Sequence, residues 1–317
     1  YCFALLKLLR GKLEQNIDFP LLVELQTVNR CNASCSMCPY PQTIGRQPIA
    51  SISDELYNQL LEQLLSEPNF QVLVLSFQNE PFVDTKIIER AERFKQLLPR
   101  KQLQAVTNGS LLTPKLIPVV YQYFDLVSIS VNASNEEIYE LVMGGLEWET
   151  VQSNLNVIAS KKEWIDKTIL RFIRQRANEG QTRKFKRYWN RKGFRVFGFE
   201  TNSRLGTIEG YEKIKVPKMF GGVLQRKLLR IIGRRLLPSC PIPFLSFYIR
   251  SNGDVVLCFN DYLENNILGN VKEMTIREIF NSERYRQVRS DSLNRGLPDG
   301  NVCSECDLFR EGVWLTV

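Results

Sequence analysis

Hydrophobic and polar positions follow two alternating rhythms along the first two thirds of the chain. Short apolar, β-branched runs are typical of buried strands, and longer segments between them have the 3.6-residue period of amphipathic helices. The runs predict six strands, at 21–27, 70–77, 101–107, 125–131, 168–174 and 194–201. Helices are predicted at roughly 53–66, 84–98, 113–123, 147–162 and 181–192, the first capped by Ser53. Six such units predict an α/β fold, a partial (β/α)6 TIM-like barrel, because a closed barrel needs eight.

The pattern changes after Gly206. Residues 207–239 have the character of a basic connector, and from Cys240 two apolar runs flank the sequence Ser-Asn-Gly-Asp at 251–254. Asn-Gly favours the positive φ values of a tight hairpin turn, and one helix is predicted over 275–291. The predicted organisation is an N-terminal extension (1–20), a barrel (21–206), the connector (207–239) and a small α+β domain with a β-hairpin (240–317).

Composition and charge narrow the classes of protein to consider. The chain has 317 residues, 44% hydrophobic and 24% charged, which is ordinary for a globular protein. No apolar run approaches the roughly 20 residues of a membrane helix, and the N-terminus lacks the features of a signal peptide. We therefore expect a cytoplasmic protein with no integral membrane segment.

The net charge of +8 is concentrated in basic runs at 183–195 and 225–237. Solvated helix faces explain such runs most simply, and an anionic substrate, an acidic electron-donor protein or a membrane surface are the functional alternatives. A nucleic-acid partner is not expected, since no nucleic-acid-binding motif accompanies the charge.

The chain contains no histidine. This excludes Cys/His zinc sites, Ser–His and Cys–His nucleophile pairs and imidazole acid–base catalysis. Proton transfer must use Lys, Asp, Glu, Tyr or Cys.

Three cysteines follow the first predicted strand with the spacing Cys-x3-Cys-x2-Cys: Cys31, Cys35 and Cys38. Chemistry gathers at the carboxyl ends of parallel strands, and polar loops follow several other strands here. A closed zinc site needs four ligands. An iron–sulfur cube held by three thiolates keeps one iron open for another molecule.

This motif, after the first strand of a partial barrel, resembles the radical S-adenosylmethionine (SAM) superfamily. The resemblance implies a [4Fe-4S] cluster on the three cysteines, with the amino and carboxylate groups of SAM on its fourth iron. Gln78-Asn79-Glu80-Pro81 stands where family members often carry Gly-Gly-Glu-Pro, so both glycines are replaced. Arg171 is a partner for the SAM carboxylate or an outward, snorkelling side chain. The full set of expected SAM-contacting residues is Met37, Gln78, Asn79, Glu80, Asn108, Ser130, Asn132 and Arg171.

Four further cysteines lie near the C-terminus: Cys240, Cys258, Cys303 and Cys306. Their spacing does not separate structural zinc from an iron–sulfur cluster. The surrounding sequences, "CPIPFLSFYIRSNGDVVLC", "LGNVKEMTIREIFNSERY" and "CSECD", closely resemble the SPASM/twitch domains that follow many radical SAM barrels. The resemblance implies one auxiliary [4Fe-4S] cluster with full cysteine ligation. Cys2 remains, and we interpret it as a spectator rather than a hydrogen-atom donor.

The resemblance implies that the first cluster cleaves SAM to a 5′-deoxyadenosyl radical, which abstracts a hydrogen atom from the substrate. The auxiliary cluster is then the expected acceptor of the electron that the substrate radical loses. Glu200, Asn202 and Arg204, at the end of strand six, are the candidate catalytic residues. Glu24 and Gln26 on strand one are predicted to point into the barrel interior. There they either take part in the reaction or support SAM and the cluster.

The substrate class is left open between a small molecule and a peptide. About twenty residues precede strand one, too few for the leader-binding unit of many peptide-modifying relatives, which favours a small molecule. A flavodoxin or ferredoxin is the expected electron donor. The alternatives are a redox-neutral epimerase, a peptide cross-linking maturase and, if the missing glycines mark a degenerate barrel, a metal-stabilised binding protein without activity.

Overall fold

The computed structural model describes residues 17–46, 48–216, 240–294 and 302–307. Cys2, the basic run 225–237 and most of the predicted connector lie outside these ranges. Within them, nine strands form one sheet.

The six predicted strands of the barrel are confirmed. They pair in parallel and in sequence order, with registers such as Val23 opposite Leu73 and Ser130 opposite Arg171. The strands are β1 (Leu22–Leu25), β2 (Val72–Val74), β3 (Gln102–Thr107), β4 (Leu126–Ser130), β5 (Thr168–Arg174) and β6 (Arg195–Glu200).

Helices follow the strands and cover one face of the sheet. Ser53 accepts a hydrogen bond from the Leu56 amide (3.2 Å), which confirms it as an N-cap. The predicted helix over 147–162 is two helices. The α-helices of the barrel are α1 (Tyr40–Thr43), α2 (Asp54–Leu65), α3 (Ile87–Leu97), α4 (Ile117–Tyr123), α5 (Glu136–Val142), α6 (Trp148–Ala159), α7 (Lys162–Asp166), α8 (Thr182–Arg191) and α9 (Tyr211–Ile214).

The main core lies between the sheet and these helices. On β5, Leu170 and Phe172 are fully buried, and Phe172 packs on Phe185 of α8 at 4.9 Å between ring centroids. Because strand side chains alternate between faces, Arg171 points to the opposite side, the barrel interior. The basic residues of α8 occupy its exposed face, opposite Phe185 and Trp189.

The C-terminal hairpin continues the barrel sheet. It consists of β7 (Ser246–Ile249) and β8 (Asp254–Val256), and β9 (Ile267–Asn270) adds an antiparallel strand. β7 pairs in parallel with β1, with Leu22 opposite Ser246. The resulting order is β6-β5-β4-β3-β2-β1-β7-β8-β9, so the last segment closes the free edge of the first strand.

The hairpin turn differs from the two-residue turn that Asn-Gly predicts. Only Gly253 of the pair has a positive φ, 94°. The Asn252 side chain accepts from the Asp254 amide at 3.0 Å, which holds Asn252 outside the left-handed region. The amide of Gly253 donates to the Arg250 carbonyl at 2.9 Å, so the connection spans residues 250–253.

The prediction of a single helix over 275–291 is also wrong. Thr275 caps a short helix, α11 (Ile276–Phe280), and a second helix, α12 (Glu283–Asn294), follows. Asn281 ends the first because its side-chain amide donates to the Arg277 carbonyl and to the Asp18 carbonyl, each at 2.8 Å. One further helix, α10 (Ile242–Leu245), precedes β7.

Candidate functional site

The loop after β1 brings three thiols together in a half-buried position. Burial is the main cause that raises the pKa of the Cys31 thiol, to about 12, and the pKa of Cys35 is also raised, first by burial and then by the charges of Cys38 and Cys31. The three sulfurs therefore lie within electrostatic reach of one another. Three thiolates in this position repel each other, and bound metal cations would remove that cost.

The end of α5 fixes this cysteine loop from one side. The amide of Ser34 donates to the carbonyl of Gly144 at 2.7 Å, and a Cβ at Gly144 would lie 2.9 Å from the Ser34 carbonyl oxygen. Glycine is thus required for the two backbones to approach. The sulfur of Met143, the residue before Gly144, lies 3.8 Å from Cys35 Sγ and accepts from Asn132 Nδ2 at 3.0 Å.

The loop after β2 meets the cysteine loop from the other side, through the Glu80 amide, which donates to the Arg30 carbonyl at 3.0 Å. The Glu80 carboxylate is buried. Its Oε1 accepts from Thr107 Oγ1 (2.7 Å) and the Phe82 amide (3.2 Å), and its Oε2 accepts from the Asn108 amide (2.7 Å). Burial raises the pKa of Glu80 to about 7, against the lowering effect of these bonds. Since a carboxylate has about four acceptor positions, one remains open.

Gln78 and Asn79, the residues in place of two glycines, have different environments. Gln78 has a φ of 54°, a conformation that glycine adopts without strain. Its Nε2 donates to the Phe259 carbonyl at 3.0 Å and its Oε1 accepts from Arg250 at 2.8 Å, so it faces the C-terminal domain. Asn79 Oδ1 accepts from the Phe77 amide, whereas its buried Nδ2 has no partner among the described residues.

Asn108 and Ser110, after β3, support the same cysteine loop. Asn108 Nδ2 donates to Asn32 Oδ1 at 2.8 Å, and Asn32 Nδ2 donates to Ser110 Oγ at 3.0 Å. Asn108 Oδ1 accepts from both the amide and the hydroxyl of Ser110. Asn108 therefore orients the loop that carries Cys31.

Asn132, after β4, connects the end of β4 to the segment at the end of β5. Its φ is 61°, its Oδ1 accepts from the Ile173 amide and its carbonyl accepts from Asn178 Nδ2, both at 2.7 Å. Gln175, directly after β5, was not predicted from the sequence. Its Oε1 accepts from Ser36 Oγ in the cysteine loop at 3.1 Å, and its buried Nε2 has no partner within the described ranges.

The barrel interior holds a carboxyl group on β1 and a guanidinium group on β5. Burial raises the pKa of Glu24, on β1, to about 7, and both the positive charge of Arg171 and a hydrogen bond with Tyr248 act in the opposite direction. The guanidinium of Arg171 also lies 4.8 Å from the ring centre of Phe199. This geometry favours an inward Arg171 over an outward one. Gln26, two residues after Glu24, is bonded to the Phe77 carbonyl (3.0 Å) and accepts from Ser251.

The three predicted catalytic residues after β6 are not gathered together. Glu200 forms an ion pair with Arg174 (2.8 Å), on the opposite face of the sheet to Arg171. Asn202 accepts from the Arg204 amide at 3.0 Å. Arg204 reaches the C-terminal domain, where its Nη1 donates to Asn260 Oδ1 at 2.7 Å.

The four C-terminal cysteines come from three segments of the chain: Cys240 lies before α10, Cys258 after β8, and Cys303 and Cys306 lie in and directly after the short 3-10 helix Val302–Glu305. Burial raises the pKa values of Cys240 and Cys258, and the other thiols of the set raise them further. Burial and the neighbouring Cys306 raise that of Cys303 to about 12. The four sulfurs thus form a second group within mutual electrostatic reach.

No three of the Cys, Asp and Glu side chains in the described part of the chain are arranged around a point that would hold one metal ion. In a [4Fe-4S] cluster each thiolate binds its own iron. The donor chemistry fits such clusters: one group of three thiols, one of four.

Residues 258–262 connect the two groups of thiols. Cys258 begins this segment, and its sulfur accepts from the Asn260 amide at 3.3 Å. The hydroxyl of Tyr262, at the other end, lies 3.6 Å from Cys38 Sγ. Beside this contact is a shallow, open cleft, lined by polar residues that include Gln26, Tyr40, Arg46, Gln78, Arg250 and Glu264.

Two family models match the chain. That of the radical SAM superfamily matches residues 25–165, and that of SPASM, an iron–sulfur cluster-binding domain, matches residues 240–307. The chain belongs to the radical SAM superfamily. Its SPASM domain contains all four C-terminal cysteines, and its radical SAM domain contains the three-cysteine loop.

Solved structures of radical SAM proteins share the fold. BtrN in complex with AdoMet and 2-DOIA has a TM-score of 0.61 at 17% identity and covers 91% of this chain and 93% of its own. SuiB of Streptococcus suis bound to the precursor peptide SuiA has a TM-score of 0.68 at 15% identity, and the match covers 98% of this chain and 74% of SuiB. anSMEcpe with bound AdoMet has a TM-score of 0.67 at 19% identity, and the match covers 92% of this chain and 88% of anSMEcpe.

One curated relative matches over a shorter stretch. Molybdenum cofactor biosynthesis protein 1 of Drosophila melanogaster is 24% identical over 135 residues, 43% of this chain. The chain spans about a quarter of the length of that protein.

None of the helices in the described ranges has the length and apolar character needed to cross a bilayer.

Two of the residues predicted to contact SAM remain to be placed. Met37 is buried within the cysteine loop, and half-buried Ser130 lies opposite Arg171. Sequence reasoning missed Gln175, Arg250 and Tyr262. A polar residue directly after strand five was the available signal for Gln175, whereas nothing local in the sequence relates Tyr262 to Cys38.

Proposed function

We propose that this protein is a radical SAM oxidoreductase that uses a SAM-binding [4Fe-4S] cluster on Cys31, Cys35 and Cys38. The second group of thiols, Cys240, Cys258, Cys303 and Cys306, would hold an auxiliary [4Fe-4S] cluster, which would supply an acceptor for the electron that the substrate loses. The observation that carries this proposal is the placement of the two thiol groups at the two ends of residues 258–262.

When bound, the first cluster and SAM together supply a 5′-deoxyadenosyl radical that removes a hydrogen atom from the substrate. The chain's own residues bind and orient the reactants. Asn79 Nδ2 and Gln175 Nε2 are buried donors beside the cysteine loop, so they suit oxygen acceptors of SAM. Arg171 suits the SAM carboxylate, and Glu80 has one acceptor position for its amino group.

Ser130 and Met37 complete the proposed SAM site. Ser130 is on the interior face of β4 opposite Arg171, and Met37 offers an apolar surface for the adenine. Asn108 and Asn132 act indirectly, because their side chains orient Asn32 and Met143 around the cysteines.

We assign proton transfer from the substrate to Glu24 in preference to Glu200. Glu24 lies in the barrel interior with a pKa raised to about 7, a suitable value for a base at neutral pH. The Glu200 carboxylate is paired with Arg174 on the other face. Asn202 and Arg204 hold the β6 loop against the SPASM domain.

For the substrate we propose a small polar molecule that enters through the cleft beside Tyr262, because charged and amide side chains line it. A peptide is the second candidate, since the cleft is open and the fold is shared with SuiB, whose structure holds a precursor peptide. A flavodoxin or ferredoxin supplies the electron. Oxidation makes the reaction dependent on the auxiliary cluster, whereas a redox-neutral epimerase would turn over without it.

The test is iron and sulfide analysis after anaerobic reconstitution, with SAM cleavage under reducing conditions. Three proteins are compared: wild type, a Cys31/Cys35/Cys38→Ala variant and a Cys303/Cys306→Ala variant, with Cys2→Ala as the matched control. We expect about eight irons in the wild type and the control and about four in each multiple variant.

SAM cleavage should be lost only in the Cys31/Cys35/Cys38→Ala protein. Zinc in place of four irons would remove the auxiliary electron acceptor and contradict the oxidative mechanism. Cleavage that persists without the three cysteines would contradict the proposal as a whole.

A further inference from the structure

The contact between Tyr262 and Cys38 joins the SPASM domain to the first thiol group by a single side chain. The tyrosine hydroxyl is 3.6 Å from Cys38 Sγ, a hydrogen-bonding distance for sulfur, and the tyrosine is 9% exposed. Its partner lies 224 residues away in the sequence.

The loop that carries Tyr262 is fixed on several sides. Arg204 binds Asn260 from the barrel at 2.7 Å, and the Asp261 carbonyl accepts from Arg250 at 3.2 Å. The Asp261 carboxylate accepts the amides of Asn265 and Asn266, both at 3.0 Å. The hydroxyl is therefore held in place by the loop and does not depend on its own contact with sulfur.

The direction of the hydrogen bond follows from the chemistry of the site. A thiolate bound to iron has no proton to give, and a phenol is protonated at neutral pH. Tyr262 must then donate and Cys38 accept. Hydrogen bonds to the sulfurs are one of the means by which a protein sets the reduction potential of an iron–sulfur cluster.

We propose that Tyr262 is a positioning residue of the SPASM domain that raises the reduction potential of the SAM-binding cluster through an O–H···S bond to Cys38. Reduction adds negative charge to the cluster and its thiolates, so a donor stabilises the reduced form more than the oxidised form. A complete and correctly seated SPASM domain then makes the first cluster easier to reduce. The inference rests on the proposed function, because it requires an iron cluster on Cys38.

The experiment is a redox titration followed by electron paramagnetic resonance on the reconstituted full chain, wild type against Tyr262→Phe. The signal that changes when SAM is added identifies the SAM-binding cluster, and the auxiliary cluster serves as an internal reference. Tyr57→Phe is the matched control, since its buried hydroxyl donates to the Arg90 carbonyl at 2.7 Å, away from both thiol groups.

Loss of one hydrogen bond to a charged acceptor is expected to change the ratio of reduced to oxidised cluster about tenfold at a fixed potential. For a one-electron couple this is a shift of about 59 mV to lower potential. The auxiliary cluster and the Tyr57→Phe protein should keep wild-type values. No shift in Tyr262→Phe, or an equal shift of both clusters, would overturn the proposal.

A second measurement decides the case if Tyr262→Phe does not assemble its clusters. Pulsed electron–nuclear double resonance on the reduced wild type, in H2O and in D2O, should detect an exchangeable proton coupled to the SAM-binding cluster, and its absence would refute the bond. Failure of the proposed function is distinguishable, because the wild type would then lack the four irons that depend on Cys31, Cys35 and Cys38.

Discussion

Two carboxyl groups in the barrel have similarly raised pKa values but different surroundings. Burial raises the pKa of both Glu24 and Glu80 to about 7. Three donors from neighbouring loops bind Glu80, which makes it part of the scaffold. Glu24 faces Arg171 and Tyr248, so its charge depends on the contents of the barrel interior. Only Glu24 is therefore suited to exchange a proton during a reaction.

Replacing Glu24 with Gln is expected to change how stability depends on pH. The folded protein holds a proton on Glu24 up to about pH 7, whereas the unfolded chain releases it near the ordinary value of 4.5. Between these values the folded state binds more protons, so the contribution of Glu24 to the free energy of unfolding falls as pH rises. Because Glu24 is half-buried, Glu24→Gln should gain about 1–2 kcal/mol relative to wild type at pH 8.

Urea unfolding of both proteins at pH 5, 6, 7 and 8 measures this difference. It should be near zero at pH 5 and grow towards pH 8. A constant difference across the series would show that Glu24 has an ordinary pKa.

Single residues differ in how far the sequence reveals their contacts. The cysteine loop and Glu80 were predictable, because local spacing marks them. The contact of Tyr262 with Cys38 was not, since it depends on how the C-terminal domain packs. Glu200 shows a different limit: strand six was predicted, but its partner Arg174 and hence its outward position depend on the register with β5.

At the scale of elements, the cysteine loop depends on the turn that follows α5. Gly144 and Ser34 approach so closely that a methyl group has no room. The backbone bond from Ser34 to Gly144, at 2.7 Å, aligns the two segments and places Met143 against Cys35. The geometry of the thiol group is thus set by an element more than a hundred residues later.

Gly144→Ala should disturb this contact and weaken cluster binding. The added Cβ would lie 2.9 Å from two oxygens of Ser34, so the loops must separate, at a cost of about 1–3 kcal/mol. Iron content after reconstitution should fall by up to about four, together with the midpoint of thermal unfolding. The matched control is Gly180→Ala, because nothing lies within 4 Å of a Cβ there. Equal iron content in both variants would contradict this account of the loop.

The elements themselves were largely predictable. All six barrel strands follow from their apolar runs, because alternate residues of most of these strands are buried against the helices. The break at Asn281 was not predicted, because the apolar period continues through it and the side-chain bonds that end α11 reach Asp18 in the barrel. The turn at Gly253 was placed correctly, but its length depends on the side chain of Asn252.

At the scale of the whole molecule, Arg277 links the SPASM domain to the beginning of the barrel. Its guanidinium makes two bonds to Glu67 (2.6 and 2.9 Å) and one to Asp18 (2.6 Å). The Glu67 side chain is only 9% exposed, so its carboxylate depends on this cation. These bonds of Arg277 hold α11 against two segments of the barrel: the one just before β1, which contains Asp18, and the one just after α2, which contains Glu67.

Arg277→Met should separate these surfaces. It leaves a nearly buried carboxylate without its cation, which we expect to lower the free energy of unfolding by about 2 kcal/mol. Lys162→Met is the control, since its pair with Asp166 is exposed (85% and 60%) and is worth at most about 0.5 kcal/mol. Denaturant unfolding of the reconstituted proteins measures both. A loss no larger than that of Lys162→Met would show that packing alone joins the domains.

The parallel pairing of β1 with β7 also has a consequence for biosynthesis. β1 leaves the ribosome well before its partner β7, so one of its edges has no partner until residues 246–249 are made, more than two hundred residues later. At about 5–20 residues per second the edge stays open for roughly ten to forty seconds. An open strand edge invites pairing with other chains. A nascent chain of this protein therefore needs its C-terminal domain to finish folding, and we expect chains truncated before β7 to accumulate as aggregates or chaperone-bound intermediates.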